Sequence, residues 1–313
     1  MFLNKKALKK FIKTIFWSFG YRIDRVPFVK KSKDELLNSL VGKYHIFLTG
    51  DSQLPLYLRN PMYSTNLPRL VKVLNQKYQD LIMIDVGANV GDTVALTKSV
   101  CDIPIVCIEG GQDYFNILKK NIVQFKNIYA FQYFFGDKNG SIGSKLVKNN
   151  ETARIINSDP RDKGTAIQVI TLDNFLELNS KFKNAKILKI DTDGYDLKIL
   201  LGGINYIGET KPVLFFEYDT VYFLEQKDSG IDMFKRLESL GYSDIIFYDN
   251  GGKIIISCKL GDHLLLRQLD NYIDKDFRTP FPYYDVAVFH EEDTDIADLF
   301  VKNEMMFFYN NYE

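Results

Sequence analysis

The chain has 313 residues, is 46% hydrophobic, and carries 40 basic and 40 acidic residues. That size and apolar content support a substantial core in one large domain, or in one domain with additions, and zero net charge excludes a global field that would draw the chain to nucleic acid or to a membrane. Three cysteines, Cys101, Cys107 and Cys258, make no CxxC pair and have no His at a metal-ligand spacing, so the expectation is free thiols, a reducing cytoplasmic compartment and no metal centre.

Residues 1–40 read as a basic amphipathic extension. Leu8, Phe11, Ile12, Ile15, Phe16 and Phe19 recur at helical spacing, and ten Lys or Arg stand against one acid, Asp24, between Met1 and Lys33. Lys13 interrupts the apolar stretch, which is too short to span a bilayer, and no small-residue cleavage site follows. Such a helix docks either on its own domain or, peripherally, on the inner membrane face or a partner enzyme. Residues 54–70 contain prolines at 55, 61 and 68 and cannot form one continuous helix. Their Tyr57, Arg59, Tyr63 and Arg69 suit either packing or contact with a sugar or an anionic group.

From Leu81 onward, apolar strand-like runs alternate with helical patterns. The runs are 81–86, 103–109, 127–135, 187–192, 213–219 and 244–250. Near-continuous apolar strands separated by helices predict a doubly wound α/β fold with a mostly parallel sheet covered on both faces. Residues 136–173 interrupt the alternation with a polar loop and an additional or edge strand, "IQVITLD". After Asn250, "NGGK" predicts a hairpin, 262–275 a helix, and 283–290 a last strand; the stretch 285–290 is expected to close the sheet antiparallel. The main domain is placed at 41–290, with its core at 81–219 and a C-terminal tail at 291–313.

The loop "IDVGANVGDT" (84–93) follows the first strand and opens a helix. Gly87 permits a tight turn and Gly91 a close approach, in the place where doubly wound sheets bind ligands. The pattern is not G-x-G-x-x-G, and Asp85 at the strand end would repel an anion, which speaks against a dinucleotide and for a cationic ligand. Glu109 ends the second strand, where an acid commonly accepts both hydroxyls of a ribose.

"IDVGANVGDT", "CIEG", "TLDNF" (171–175), "LKIDTDGYD" followed by "ILLGG", and "PVLFFEYD", in this order, resemble the FkbM-type S-adenosylmethionine-dependent methyltransferases. The resemblance implies a seven-stranded class I methyltransferase sheet with one antiparallel strand near the C-terminus. It also implies S-adenosylmethionine as cofactor and methyl transfer to a hydroxyl of a sugar, glycan or natural-product acceptor, as in polysaccharide biosynthesis. By the same resemblance Asp85, Gly87, Ala88, Asn89, Gly91 and Asp92 frame the methionine end, and Glu109 holds the ribose. Gly110 and Gly111 line the adenine, and Gly136 and Asp137 reach its amino group. Two departures are visible: Asp191, Asp193, Gly194 and Asp196 stand where relatives often carry D-x-E-G-x-E, and Gly110 where they often carry Pro.

The acids of "LKIDTDGYD" do not match a calcium loop, because position 5 is Tyr195 and position 12 is Gly202. A divalent-metal site is the lesser alternative. Separate roles are expected: Asp191 toward the methionine amine or the acceptor, Asp193 toward an acceptor hydroxyl, Asp196 as a helix-start acid. Asp193 and Glu217 are the candidate bases, with Asp191 beside them and His45 and His290 as lesser alternatives. An NAD-dependent enzyme and a catalytically inert binding protein with the same fold are the competing readings.

Overall fold

The computed structural model describes residues 35–148, 153–157, 166–273 and 282–312. The basic extension read from the sequence lies outside them as far as residue 34. A hairpin of β1 (Leu37–Val41) and β2 (Tyr44–Leu48) opens the described chain, so the boundary drawn at residue 40 falls inside a strand.

The main sheet has eight strands, in the order β13-β12-β14-β11-β10-β3-β4-β5. Their ranges are β3 Met83–Val86, β4 Ile105–Ile108, β5 Ile128–Phe131, β10 Ile187–Ile190, β11 Val213–Tyr218, β12 Tyr242–Tyr248, β13 Ile254–Lys259 and β14 Tyr284–His290. The strands β10, β11, β3, β4 and β5 pair in parallel, and β14 runs antiparallel to both β11 and β12. The sequence expectation that 285–290 closes the sheet is corrected in one respect. The strand is antiparallel but sits inside the sheet, and β13 takes the edge. The burial patterns give the reason: β14 is apolar on both faces, whereas β13 alternates between half-buried and exposed.

Residues 127–135 do not form one strand. The run breaks after β5, and β6 (Phe134–Phe135) joins a second sheet of order β6-β9-β7-β8, with β7 at Gly140–Lys148, β8 at Ala153–Asn157 and β9 at Ala166–Ile170. The stretch read as a polar loop with one extra strand is therefore a small sheet of its own.

Period-two alternation divides the main core. Ile84, Val86, Val106, Ile108, Leu188, Ile190, Leu214 and Phe216 face helices 172–178, 196–202, 204–210 and 230–239. Met83, Ile105, Cys107, Ile187, Val213 and Phe215 face the other layer, built from helices 66–77, 92–98, 112–122 and 294–312. The segment read as a C-terminal tail is thus a packed helix, Thr294–Tyr312, which buries Ile296, Ala297, Phe300, Glu304 and Phe308. Glu304 is 1% exposed and takes both Nε and Nη2 of Arg69, the latter at 2.7 Å, while the Arg69 guanidinium lies 4.4 Å over the Phe307 ring. Arg69 therefore ties two helices together and is not a ligand-binding group. Glu304→Ala leaves a largely buried guanidinium without its carboxylate, at an expected cost of about 3 kcal/mol in urea unfolding; a change below about 1 kcal/mol would contradict the pairing.

Candidate functional site

In the register of the sheet, Cys107, Asp85, Lys189, Phe215 and Ala287 form one cross-strand row. Two residues further toward the carboxyl ends, on the same face, stand Glu109, Gly87, Asp191, Glu217 and Asp285. A row of acids therefore crowns the sheet edge, broken only by a glycine. It opens into a cleft of about 700 Å³.

Gly87 sits where the chain order reverses, between β3 and β10, the usual ligand position in such sheets. Its φ is +78°, and a Cβ there would lie 1.8 Å from the Asp191 carbonyl oxygen, so no other residue fits. The glycine loop is tied down from within. The N–H groups of Gly87 and Ala88 donate to the Ile108 carbonyl at 2.9 and 3.0 Å, that of Asn89 to Glu109 Oε2 at 3.0 Å, and that of Gly91 to the Ala88 carbonyl at 2.8 Å. These donors are spent on the protein itself and are not available as a phosphate cradle, which speaks against the NAD reading.

Glu109 accepts from Asn89 through one oxygen and from the Gly111 N–H through the other, at 2.6 Å. Each oxygen keeps lone-pair capacity toward the cleft. Burial pushes its carboxyl up to about 7, against the pull of the Gly111 and Asn89 amides. Gly110 meets the Phe134 ring: a Cβ would come within 2.3 Å of it. The absence of Pro after Glu109 is thereby explained, because Phe134 fills the space that a proline ring would need.

Asp85 does not line the cleft. It is fully buried beneath it, with Lys189 Nζ 2.9 Å from Oδ1. Among the described residues neither Asp85 oxygen completes an aligned hydrogen bond, and the coulombic attraction of Lys189 is the larger part of the pairing. Lys189, 5% exposed, also lies 3.4 Å from Asp191 Oδ2 and donates to the Gly87 carbonyl at 3.3 Å. Burial alone would depress the lysine, but Asp85 and Asp191 outweigh it and keep the ammonium charged. Asp85 is thus already neutralised by the protein rather than waiting for a cationic ligand, which corrects the sequence expectation for this residue. Lys189 was missed. Its signal was a lone charge in the apolar run "ILKI".

Of the other expected residues, Gly87, Asn89, Asp92, Gly110, Asp191, Asp193 and Glu217 line the cleft with Glu109, and Ala88, Gly91, Gly136 and Asp137 do not. Gly136 serves packing: its carbonyl oxygen is 2.0 Å from where a Cβ on Gly202 would be. Asp196 is 1% exposed and braces the loop, accepting from Thr192 Oγ1 at 2.9 Å and from the Gly194 N–H at 3.3 Å. Asp193 adopts a left-handed φ of 51°. His45 pairs with Asn38, and His290 accepts from the Glu292 N–H; neither lines the cleft. Tyr57 and Tyr63 do line it, with ring centroids 5.1 Å apart. Asn66, Asn250, Tyr283 and Asp285 join the wall without having been singled out in the sequence. Among the described residues, no group of three or more His, Cys, Asp or Glu is arranged to hold a metal ion, and no helix is long and apolar enough to cross a membrane.

Six acids line the cleft, Asp92, Glu109, Asp191, Asp193, Glu217 and Asp285, and among the described residues the only basic side chain there is Lys189. Burial, foremost, raises Asp92 to about 6 and Asp196 and Asp285 to about 7, as it does Glu109. Unfolded carboxylates titrate near 4, so the unfolded chain ionises first as pH rises. The stability these four carboxyls contribute is fully present below about pH 4 and is lost as pH climbs through their folded values near 6 to 7. The unfolding midpoint is accordingly expected to be higher at pH 5 than at pH 8; a flat or rising profile over that window would contradict the raised values. Lys189→Met leaves Asp85 buried without a counter-charge and is expected to cost about 3 kcal/mol or more in chemical denaturation.

A family model described as "Methyltransferase FkbM domain" matches residues 85–243, half of the chain. No curated protein matches. The chain is similar in structure to methyltransferase FkbM from Methylobacillus flagellatus KT, at 17% identity and a TM-score of 0.41, over 67% of this chain and 44% of that one. It therefore spans less than half of that protein's length. It is also similar to precorrin-6y C5,15-methyltransferase from Geobacter metallireducens GS-15 (14% identity, 71% of this chain and 87% of that one, TM-score 0.36) and to the fibrillarin pre-rRNA processing protein of Methanococcus jannaschii (10%, 85% and 86%, 0.36). By the match of the domain model, this chain belongs to the FkbM methyltransferase domain family.

Proposed function

We propose that the chain transfers a methyl group from S-adenosylmethionine to a hydroxyl of a sugar, glycan or natural-product acceptor. The observation that carries this reading is the acid row at the sheet edge, with its one gap at Gly87 on the chain-reversal point. The donor would bring a sulfonium and an ammonium against one carboxylate, and a cleft with six acids and one lysine favours that net charge. Both oxygens of Glu109 retain acceptor capacity for a ribose diol. Asp191 and Asn89 line the stretch next to the glycine loop, where the methionine end would lie, and Phe134 and Gly110 line the opposite side, suited to a flat base. When bound, S-adenosylmethionine supplies an electrophilic methyl group that departs from sulfur without needing a metal or a protein nucleophile.

The remaining work falls to the protein. It must hold the acceptor oxygen in line and remove its proton, and positioning alone can supply much of the rate. Glu217, Asp191 and Asp193 line the cleft where a hydroxyl would arrive. The stacked Tyr57–Tyr63 pair, with Tyr283, Asn60 and Asn250, offers aromatic faces and amides to a polyhydroxylated ring.

Calorimetric titration with S-adenosylmethionine is expected to give one saturable site. Glu109→Gln puts an amide N–H against one of the two backbone donors and is expected to weaken binding roughly tenfold or more. A folded wild-type chain with no saturable binding would overturn the reading.

A further inference from the structure

The far end of the cleft carries two carboxylates that donor binding leaves without a task. Glu217 on β11 and Asp285 on β14 are directly opposed in the antiparallel ladder, so both side chains leave the same face, roughly 5 Å apart at Cβ. Like charges placed this way destabilise a ladder. The lysine of the cleft is already engaged by Asp85 and Asp191. Burial, then Asp191, Asp196, Asp193 and Asp285, pushes Glu217 well above the usual carboxylate range. Burial and Asp191 raise Asp285, with Asp249 adding to them while Asn66 and Lys189 pull back. Tyr63 and Tyr283 face the same space.

A second observation is independent of charge. Asn66, the first residue of helix 66–77, is 1% exposed and lines this end of the cleft. Its amide faces Asp285 and lowers that carboxyl, but among the described residues its nitrogen has no partner at full hydrogen-bond geometry. A buried donor left unmade is costly, and a ligand oxygen would relieve it. Position also matters. At about 4.8 Å per strand, Glu109 lies roughly 14 Å from Glu217 and roughly 19 Å from Asp285 across the edge. The proposed donor occupies the ends of β4, β3 and β10, and the pair lies beyond it.

We infer that Glu217, Asp285 and Asn66 form the acceptor subsite, and that it takes an uncharged, hydroxyl-bearing ring. This rests on the S-adenosylmethionine reading of the same cleft. The protonated carboxyl of the pair donates to one ring oxygen, and the Asn66 amide donates to another. The ionised carboxylate accepts from the reacting hydroxyl and takes its proton: the acceptor O–H bond breaks, its electron pair stays on oxygen, and the new O–H bond forms on the carboxylate. A phosphorylated ring would meet Asp191, Asp193 and the pair together and is disfavoured.

The test needs no acceptor. Sinefungin carries an amine-bearing carbon where the donor carries its methyl sulfonium, and S-adenosylhomocysteine carries neither the methyl nor the charge. Both are titrated calorimetrically into the full chain at pH 8. The wild type is expected to prefer sinefungin roughly tenfold or more, from a charge-assisted contact with the pair. The double variant Glu217→Gln/Asp285→Asn, which leaves no carboxylate in the pair, is expected to bring that preference toward parity while S-adenosylhomocysteine affinity stays within about twofold. That unchanged affinity is the control for folding; should the double variant lose it, the wild-type preference measured at pH 5 and pH 8 decides, since it must fall as the pair is protonated. A preference that survives neutralisation of the pair, or a wild type without one, overturns the subsite. Absence of binding by either compound to the folded wild type overturns the donor reading and the subsite with it, a result distinct from the first.

Discussion

The ion pair between Lys189 and Asp85 is the interaction on which the cleft depends. It lies inside a parallel sheet, in the middle of a row otherwise made of Cys107, Phe215 and Ala287. Two charges in such a place are stabilising only if each is answered, because removing either leaves the other in a low-dielectric interior. They also stand at the chain reversal, where β3 and β10 run side by side. The lysine reaches the Gly87 carbonyl and the Asp191 carboxylate as well. One buried ammonium thus joins the glycine loop, the strand beneath it and the first acid of the edge row.

The edge row itself is a compromise between stability and use. Four acids on one face, each at or just beyond a strand end or in the first residues of β14, repel one another, and Glu109, Glu217 and Asp285 are also partly removed from water. Their cost is contained by backbone donors at Glu109, by Lys189 below Asp191, and by the raised pKa of Glu109, Glu217 and Asp285, which favours protonation. Protonation has a chemical consequence. A carboxyl that is neutral near pH 7 can donate a hydrogen bond, and its ionised neighbour can accept a proton, so one pair can provide both functions.

Much of this was legible in the chain before any fold was known. The alternation of apolar runs and helical patterns is a local property, and it located β3, β4, β10, β11 and β12 closely. Glu109 was legible because an acid directly after "IVCI" has nowhere to be but a strand end. Asp285 was not, although its strand was recognised, because its importance comes from standing opposite Glu217, and ladder register is not written in either segment alone. Asp196 shows the opposite limit. Its place at a helix start was readable, but its service to Thr192 and Gly194 depends on a loop geometry that only the packed chain fixes. Arg69 stayed open between packing and ligand contact because its partner, Glu304, lies 235 residues away.

The layers, the glycine loop and the acids at the strand ends are local properties of the chain, because periodicity, turn chemistry and strand length act over a few neighbouring residues. Tertiary structure alone decided which of those residues meet. It inserted β14 between β11 and β12, gave Asp85 a lysine from a strand about a hundred residues on, and placed Phe134 over Gly110. Those outcomes follow from strand order and from the exclusion of water around charges, which are properties of the assembled sheet and not of any segment within it.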